Sequence, residues 1–199
     1  MSLQNSISYY NENAETFHAD TAGVDMSALY AEFLPLLPEN AHIIDAGCGS
    51  GRDAVAFRAQ GFQVTAFDAS EALVAKARAQ LGQDTVQHCT FLSFEVTTPA
   101  DAIWACASLL HVVPSQLPQT FTHLAAQLKP NGIMYCSFKY GTDQTERSGR
   151  TFTNLNEVIL AETLQNTGFR ISKTWRTSDA RPGREHEQWL NAILVKGDK

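Results

Sequence analysis

From residue 41 onward, short apolar runs alternate with segments that carry apolar residues at every third or fourth position. The runs predict seven strands, at residues 41–47, 62–68, 85–91, 102–106, 132–138, 169–178 and 187–196. The intervening segments predict helices at residues 51–60, 70–81, 114–128 and 154–167. Strands that are apolar throughout and joined by helices are typical of a parallel sheet covered on both faces.

The end of the chain departs from this alternation. Its last two predicted strands are joined by a turn-rich link at residues 179–184, which is short enough for an antiparallel pair. We therefore predict an α/β fold with a seven-stranded, mostly parallel sheet, a reversed last strand and helices on both faces. Helical segments at residues 12–17 and 27–37 precede the first strand.

Composition narrows the possible classes of protein. The 199 residues are 44% hydrophobic, and 15 basic against 21 acidic side chains give a net charge of −6. A chain this acidic is not suited to general binding of a nucleic-acid backbone, and its longest apolar stretch is too short to span a membrane. Residues 1–20 lack the basic and apolar regions of a targeting segment, so we expect a cytoplasmic protein.

Basic residues are concentrated late in the chain. Residues 139–184 carry 8 basic and 5 acidic side chains, whereas residues 1–138 carry 5 basic and 13 acidic ones. This segment is either a solvated face or the wall of a pocket for an anionic ligand, and the sequence leaves both open.

The four cysteines show no pattern of a metal site. Cys48, Cys89, Cys106 and Cys136 are separated by 41, 17 and 30 residues, without the close pairs that zinc sites use. Three of them lie in apolar runs, where a reduced cysteine acts as a small buried hydrophobe. We interpret them as structural thiols and expect no bound metal.

The most informative segment follows the first predicted strand and reads Asp45-Ala-Gly47-Cys-Gly49-Ser-Gly51. Glycines between a strand and a helix start permit positive φ and a close approach of backbone to a ligand. Asp68 ends the second strand, 21 residues after Gly47. An acidic side chain at that position is placed to accept both hydroxyls of a ribose.

This segment resembles a motif of class I S-adenosylmethionine-dependent methyltransferases. Three further stretches resemble motifs of the same family: Phe67-Asp68-Ala-Ser, residues 107–111 after the fourth strand, and the Lys-Pro-Asn-Gly turn at residues 129–132. The resemblance spans residues 43–138, and the reversed last strand extends it to nearly the whole chain. It implies a Rossmann-like fold and S-adenosylmethionine as cofactor, with the methionine part on the glycine loop and the ribose on Asp68.

By the resemblance, ten residues hold the cofactor: Asp45, Gly47, Cys48, Gly49, Gly51, Asp68, Ala69, Ser70, Phe91 and Ser108. Many family members carry an acidic residue after the third strand for the adenine amino group. Here residues 89–91 read Cys-Thr-Phe, so we expect backbone and apolar packing to hold the adenine. We divide a single domain, residues 1–199, into an N-terminal helical cap (1–40), a cofactor-binding half (41–138) and a substrate-side half with the closing strands (139–199).

The loops near residues 137–141, 147–152 and 181–184 resemble, more loosely, those of a bacterial subgroup related to tellurite-resistance methyltransferases. We predict that they bind the substrate through Lys139, Tyr140, Arg147 and Arg150. We expect the molecule that accepts the methyl group to be small, and to be either an anion or a thiol or chalcogen. The anionic alternative follows because guanidinium forks favour oxyanions.

Two residues are candidates for proton transfer. His111 follows the fourth strand, next to the expected position of the methyl group, and a cofactor-lining or packing role is its alternative. Tyr10 lies in segment 9–17, which resembles an aromatic segment that some family members fold over the cofactor. An ordinary amphipathic helix explains that segment equally well.

Three other functions fit parts of the sequence. The spacing Gly49-Ser-Gly51-Arg-Asp-Ala54 matches a nicotinamide-dinucleotide fingerprint, but that interpretation leaves Asp45 and the reversed last strand unexplained. Methylation of a tRNA base is opposed by the acidic body of the chain. A catalytically silent cofactor-binding module remains open, and the sequence does not indicate an oligomeric state.

Overall fold

The computed structural model describes residues 2–181 and 183–197. Its helices are α1 (Ser2–Glu12), α2 (Ala14–Thr21), α3 (Ser27–Phe33), α4 (Arg52–Ala59), α5 (Glu71–Leu81), α6 (Leu117–Ala126) and α7 (Glu157–Thr163). Its strands are β1 (His42–Ala46), β2 (Gln63–Asp68), β3 (Val86–His88), β4 (Ala100–Ala105), β5 (Leu128–Lys139), β6 (Gln144–Arg147), β7 (Arg150–Thr153), β8 (Phe169–Ser178) and β9 (Gln188–Lys196). Within this described part, no helix has both the length and the apolar character needed to cross a bilayer.

Seven strands form one sheet in the order β3-β2-β1-β4-β5-β9-β8. Neighbours from β3 through β5 pair in parallel, and β9 runs antiparallel to both β5 and β8. The predicted sheet with its reversed last strand is confirmed. The chain order reverses between β1 and β4, and a ligand crevice opens at the carboxyl ends of the strands at such a point.

Alternate residues of the strands serve the two faces of the sheet. Ile44 and Ile103 pack in a cluster with α6 and α7 on one face, whereas Ile43 and Trp104 pack with α3 and α4 on the other. All four side chains are fully buried. Because both faces are covered, the middle residues of these strands are apolar at consecutive positions, as the sequence pattern indicated.

Three elements differ from the sequence prediction. Helix α1 begins at Ser2, ten residues before the predicted segment 12–17, and most of that segment belongs to α2. Strands β6 and β7 form a separate hairpin where no element was predicted. Helix α7 begins later than expected, because the Asn156 side chain accepts a hydrogen bond from the Ile159 N–H at 2.9 Å and caps the helix there.

Candidate active site

A cavity of about 250 Å³ lies at the carboxyl ends of β1, β2, β4 and β5. Helices α1 and α2 cover it, and we call these two helices the roof. Roof residues that line the cavity include Ser6, Tyr10 and Phe17. Nine of the ten predicted cofactor residues line the same cavity: Asp45, Gly47, Cys48, Gly49, Asp68, Ala69, Ser70, Phe91 and Ser108.

The glycine loop has no room for side chains where it meets its neighbours. Gly47 has a φ of 76°, and a Cβ there would lie 2.5 Å from the Cβ of Ser108. Ser108 is fixed in turn, because its hydroxyl donates to the Ala46 carbonyl at 2.7 Å. A Cβ on Gly49 would lie 3.2 Å from the ring of Phe17 in the roof. The loop therefore presents bare backbone to the cavity.

Gly51 is the predicted cofactor residue that does not line the cavity. It precedes α4 with a φ of 92°, and a Cβ there would lie 3.2 Å from Ala77 and Leu81 of α5. This glycine lets α4 and α5 pack closely, and its predicted contact with the cofactor stays a prediction.

Asp68 holds the two loops that flank the cavity. Its Oδ2 accepts from the Gly49 N–H at 2.9 Å, and its Oδ1 accepts from the Ser70 N–H at 2.8 Å. Burial raises the pKa of this carboxyl, while the N–H donors act in the opposite direction. Both carboxylate oxygens lie at the edge where the resemblance places a ribose.

Asp45 is 2% exposed, and its Oδ2 accepts from the Ala54 N–H at 3.1 Å, inside the first turn of α4. Burial, followed by the nearby Asp53 carboxylate, raises the pKa of Asp45 well above its usual range. The side chain joins the glycine loop to the start of α4 and is suited to accept a polar group of a ligand.

Sequence reasoning missed the pair Arg52 and Asp53, which also line the cavity. The buried Asp53 carboxylate accepts from Arg52 Nε at 2.7 Å, from the Tyr30 hydroxyl at 2.6 Å and from Trp104 Nε1 at 2.8 Å. Two of its donors come from distant elements. The only local signal was an acidic residue in the first turn of a helix.

Cysteines surround the cavity more than expected. Cys48, Cys89 and Cys106 line it, and only Cys136 of the four is buried in the sheet. Cys48, Cys89 and Cys106 lie at the cavity because the carboxyl ends of the strands open into the crevice, and they also pack against the core. The interpretation of the cysteines as structural thiols stays a prediction. Burial raises the pKa of Cys89 to about 11 and that of Cys106 to about 12, so these thiols stay protonated at neutral pH.

His111 and Tyr10 form a hydrogen-bonded chain at the cavity wall. His111 Nδ1 lies 3.0 Å from the Thr151 carbonyl, and Nε2 lies 2.9 Å from the Tyr10 hydroxyl. Because a carbonyl only accepts, Nδ1 carries the proton, and Nε2 accepts from Tyr10. Burial lowers the pKa of His111 to about 4 and raises that of Tyr10, so both groups are neutral at pH 7. We call this chain the relay.

Arg150, at the start of β7, stands beside the relay. Its guanidinium carbon lies 4.1 Å from the centre of the Tyr9 ring and 5.4 Å from that of Phe152. Its Nε is buried and has no hydrogen-bond partner. A cation stacked on aromatic faces keeps its in-plane N–H donors available.

Four further cations line the same end of the cavity, which we call the acceptor end. Lys139, Arg147 and Arg184 converge on Glu187, with Arg147 at 3.2 Å and Arg184 at 2.6 Å. Although burial acts to raise it, Lys139 and Arg184 lower the pKa of Glu187 to about 2. Arg181 pairs with Asp179 at 2.6 Å. Five cations therefore face two carboxylates at this end.

Tyr140 lies outside the cavity lining, unlike Lys139 before it. Its hydroxyl donates to Glu157 at 3.2 Å, and its ring stacks on Arg176 at 3.9 Å. Successive residues of an extended chain point to opposite sides. The contact between Tyr140 and the substrate stays a prediction. Trp189 packs against the core and also lines the cavity.

The roof is attached to the cofactor-binding loops by side chains. The Asn11 amide oxygen accepts from the Ser70 hydroxyl at 2.7 Å, and His18 Nδ1 lies 2.9 Å from the Ser50 hydroxyl. At the other end, Tyr9 and Tyr10 reach Arg150 and His111. The roof thus connects the two ends of the cavity.

S-adenosylmethionine fits this set of residues. The side-chain-free surface at Gly47 and Gly49 leaves room for a ligand against backbone, and Asp68 supplies acceptors for a diol. Phe67 and Phe91, with ring centres 5.5 Å apart, offer an apolar wall for an adenine in place of an acidic partner. These features agree with a class I methyltransferase fold.

A family model described as methyltransferase domain matches residues 17–174. The match covers most of the chain, so this chain belongs to that family of methyltransferase domains. The ubiquinone biosynthesis O-methyltransferase of Rickettsia conorii is 31% identical over 97 residues, which is 48% of this chain and 34% of that protein. The chain spans less than half the length of the curated relatives it matches.

Solved structures share the fold. A Burkholderia thailandensis 1,6-didemethyltoxoflavin-N1-methyltransferase, with 1,6-didemethyltoxoflavin and S-adenosylhomocysteine bound, matches at a TM-score of 0.77 and 22% identity over 98% of this chain and 88% of its own. The [4+2]-cyclase SpnF matches at 0.78 and 18% identity over 100% of this chain and 98% of its own. Because one fold carries different reactions, the acceptor has to be argued from the site.

Proposed function

We propose that this domain transfers a methyl group from S-adenosylmethionine to a small acceptor that carries a negative charge. The observation that carries the proposal is the joining, in one cavity, of the Asp68 and glycine-loop site with an acceptor end lined by five cations, four of which pair with Asp179 or Glu187. When bound, S-adenosylmethionine supplies an electrophilic methyl group. The looser resemblance to tellurite-resistance-related enzymes stays a prediction.

The residues contribute mainly by holding two ligands in line. Asp45, Asp68 and the glycine loop fix one ligand, and the acceptor end fixes the other. The roof covers both, and Tyr10 and Phe17 keep water from the space between them. Holding reactants in this way contributes up to about 7 to 11 kcal/mol to the lowering of a barrier. In-line displacement from a sulfonium requires no covalent nucleophile on the protein.

Calorimetric titration with S-adenosylhomocysteine tests the cofactor half of the proposal. We expect saturable one-to-one binding and no binding of a nicotinamide dinucleotide. The opposite result would restore the dinucleotide interpretation. Transfer of labelled methyl to a panel of carboxylates, thiols and tellurite then tests turnover, and binding without transfer to any of them would identify a catalytically silent module.

A tRNA acceptor is the competing substrate class. The chain carries a net charge of −6, and most cations at the acceptor end are already paired with Glu187 and Asp179. We expect no tRNA shift in a gel assay, even at low salt, where phosphate contacts are strongest. A complex that weakens steeply with added salt would favour the nucleic-acid acceptor.

A further inference from the structure

We propose that the acceptor is bifunctional: an oxyanion of the acceptor binds Arg150, and a separate protic group, a hydroxyl or amine, is methylated while the Tyr10–His111 relay takes its proton. The inference rests on the proposed function and deepens it. It assigns Arg150 to specificity and Tyr10 to catalysis, and it names the class of substrate.

Arg150 is distinguished from the other cations of the cavity by its lack of an ionic partner. Within residues 2–181 and 183–197, the remaining lining cations all pair with carboxylates, namely Arg52, Lys139, Arg147, Arg181 and Arg184. The buried Nε of Arg150 has no acceptor, although a buried donor is costly to leave unpaired. Stacking on Tyr9 restrains the plane of the guanidinium. A planar oxyanion such as a carboxylate satisfies these donors in pairs.

The relay provides an acceptor for a proton of the ligand, which Arg150 does not provide. The Thr151 carbonyl fixes the proton of His111 on Nδ1, so Nε2 faces the Tyr10 hydroxyl as an acceptor. Arg150 approaches the Tyr10 oxygen and can engage one of its two lone pairs, which leaves the other for a ligand, and Tyr10 lines the cavity. A protic group of a ligand can donate to that oxygen, with a neutral imidazole behind it to receive the proton.

Arg150 and the relay lie next to each other. The guanidinium carbon of Arg150 is 5.7 Å from the centre of the Tyr10 ring. The centre of the Phe152 ring lies 5.1 Å from the centre of the His111 ring and 5.4 Å from the guanidinium carbon of Arg150. An oxyanion neutralised by a guanidinium is a weakened nucleophile. The group that is methylated is therefore a second one, a few ångströms from the oxyanion and within reach of Tyr10.

The step balances in atoms and charge. The nucleophilic atom forms a bond to the methyl carbon, and the methyl–sulfur bond breaks with its electron pair left on sulfur. The proton of the nucleophile passes to the Tyr10 oxygen, and the Tyr10 proton passes to His111 Nε2. The positive charge lost by the sulfonium reappears on the imidazolium, which releases its proton to solvent when the site opens.

Binding of matched ligands tests the role of Arg150 without turnover. With S-adenosylhomocysteine bound, we expect the wild type to bind 4-hydroxybenzoate about 10- to 100-fold more tightly than 4-hydroxybenzamide. Arg150→Leu should abolish that preference, and Arg150→Lys should retain part of it. Arg176→Leu is the matched control, because Arg176 also stacks on a tyrosine but lies outside the cavity lining.

A pair of nucleophiles tests the relay. 4-Mercaptobenzoate carries an aromatic thiol that is ionised at neutral pH, whereas 4-hydroxybenzoate carries a protonated phenol. Tyr10→Phe should lower kcat for the phenol by about 100-fold or more and lower it far less for the thiol, with KM changed little. Nitrogen-15 shifts of the His111 ring should report a proton on Nδ1 and a hydrogen-bonded, unprotonated Nε2.

The outcomes separate this inference from the proposed function. Failure to bind S-adenosylhomocysteine overturns the proposed function itself. Intact cofactor binding with equal affinity for acid and amide, or with an unchanged preference in Arg150→Leu, overturns the oxyanion receptor. Equal losses for phenol and thiol in Tyr10→Phe overturn the relay. Normal cofactor binding with no transfer to either nucleophile in the wild type overturns the bifunctional acceptor class.

Discussion

At the scale of single residues, Asp68 has the most direct consequence for the cofactor. Its two oxygens accept from the Gly49 and Ser70 N–H groups, and the resemblance places a ribose at the same edge. Asp68→Ala should weaken S-adenosylhomocysteine binding by about 1.5 to 3 kcal/mol, because the charged acceptor is lost and its donors are left unpaired. Calorimetry measures this, and the exposed Asp84→Ala is the control. Unchanged affinity would mean that the ribose lies elsewhere.

His111 predicts a pH dependence of folding stability. The pKa of His111 falls from 6.5 to about 4 on burial, so between these values the unfolded chain binds a proton that the folded chain does not. The contribution to stability is therefore complete above pH 6.5 and is lost as the pH falls towards 4.

The comparison with His111→Gln isolates that contribution. Between pH 7 and pH 4, the excess stability of the wild type over the variant should shrink by about 3 kcal/mol. Urea unfolding across the range measures it. The buried carboxylates are common to both proteins and cancel, and the exposed His186→Gln is the control. A pH-independent difference would contradict the neutral, buried imidazole.

The sequence predicted which residues gather at the site better than it predicted what each one does. Gly47 and Asp68 belong to a local motif whose spacing carries their placement, and both line the cavity. Asp53 could not be recognised, since its partners Tyr30 and Trp104 meet it only through tertiary packing. The sequence could not show that Tyr140 lies outside the cavity lining, because the side to which a strand-end residue points depends on register.

At the scale of elements, the β6–β7 hairpin positions Arg150. Its turn residues, Ser148 and Gly149, have φ values of 52° and 74°, as two-residue turns of type I′ require. Gly149→Ala should cost about 1 to 2 kcal/mol of stability, since no atom lies within 4 Å of a Cβ there and only the backbone conformation opposes the substitution.

Gly61→Ala provides the matched control for the hairpin. Gly61 has a φ of 91° and the same open surroundings, but it lies at the end of α4, away from the cavity. Both variants should lower the unfolding free energy comparably, whereas only Gly149→Ala should raise KM for the acceptor. Acceptor kinetics alongside unfolding measure this. Equal effects of the two variants on KM would show that the hairpin has no specific role in acceptor binding.

The hairpin also explains what the apolar pattern could not predict. The four residues of β6 are polar and exposed, and Phe152 is the only large apolar residue of β7. A hairpin that packs only one aromatic ring against the cavity wall has no alternation of apolar and polar residues, so its sequence does not show the pattern of a strand. The central strands β1 and β4, buried on both faces, had the strongest pattern, and all seven strands of the main sheet were predicted near their observed positions.

At the scale of the whole molecule, the roof should respond to cofactor binding. Asn11 and Phe17 contact the loops that carry the cofactor site, so a ligand beneath them stabilises α1 and α2 in place. Hydrogen exchange of roof amides should slow by up to about 100-fold at a ligand concentration 100 times Kd. Helix α6, which lies outside the cavity lining, is the internal control, and unchanged roof exchange would contradict closure over the cofactor.

The three thiols around the cavity give the molecule a built-in chemical footprint. Cys48, Cys89 and Cys106 border the space that a ligand fills, whereas Cys136 is buried in the sheet. An alkylating reagent at alkaline pH should therefore add mass at these three positions in the empty protein and be excluded when the space is filled. Intact-protein mass spectrometry would then measure the fraction of protein whose cavity is occupied, without a labelled ligand and without knowledge of the acceptor.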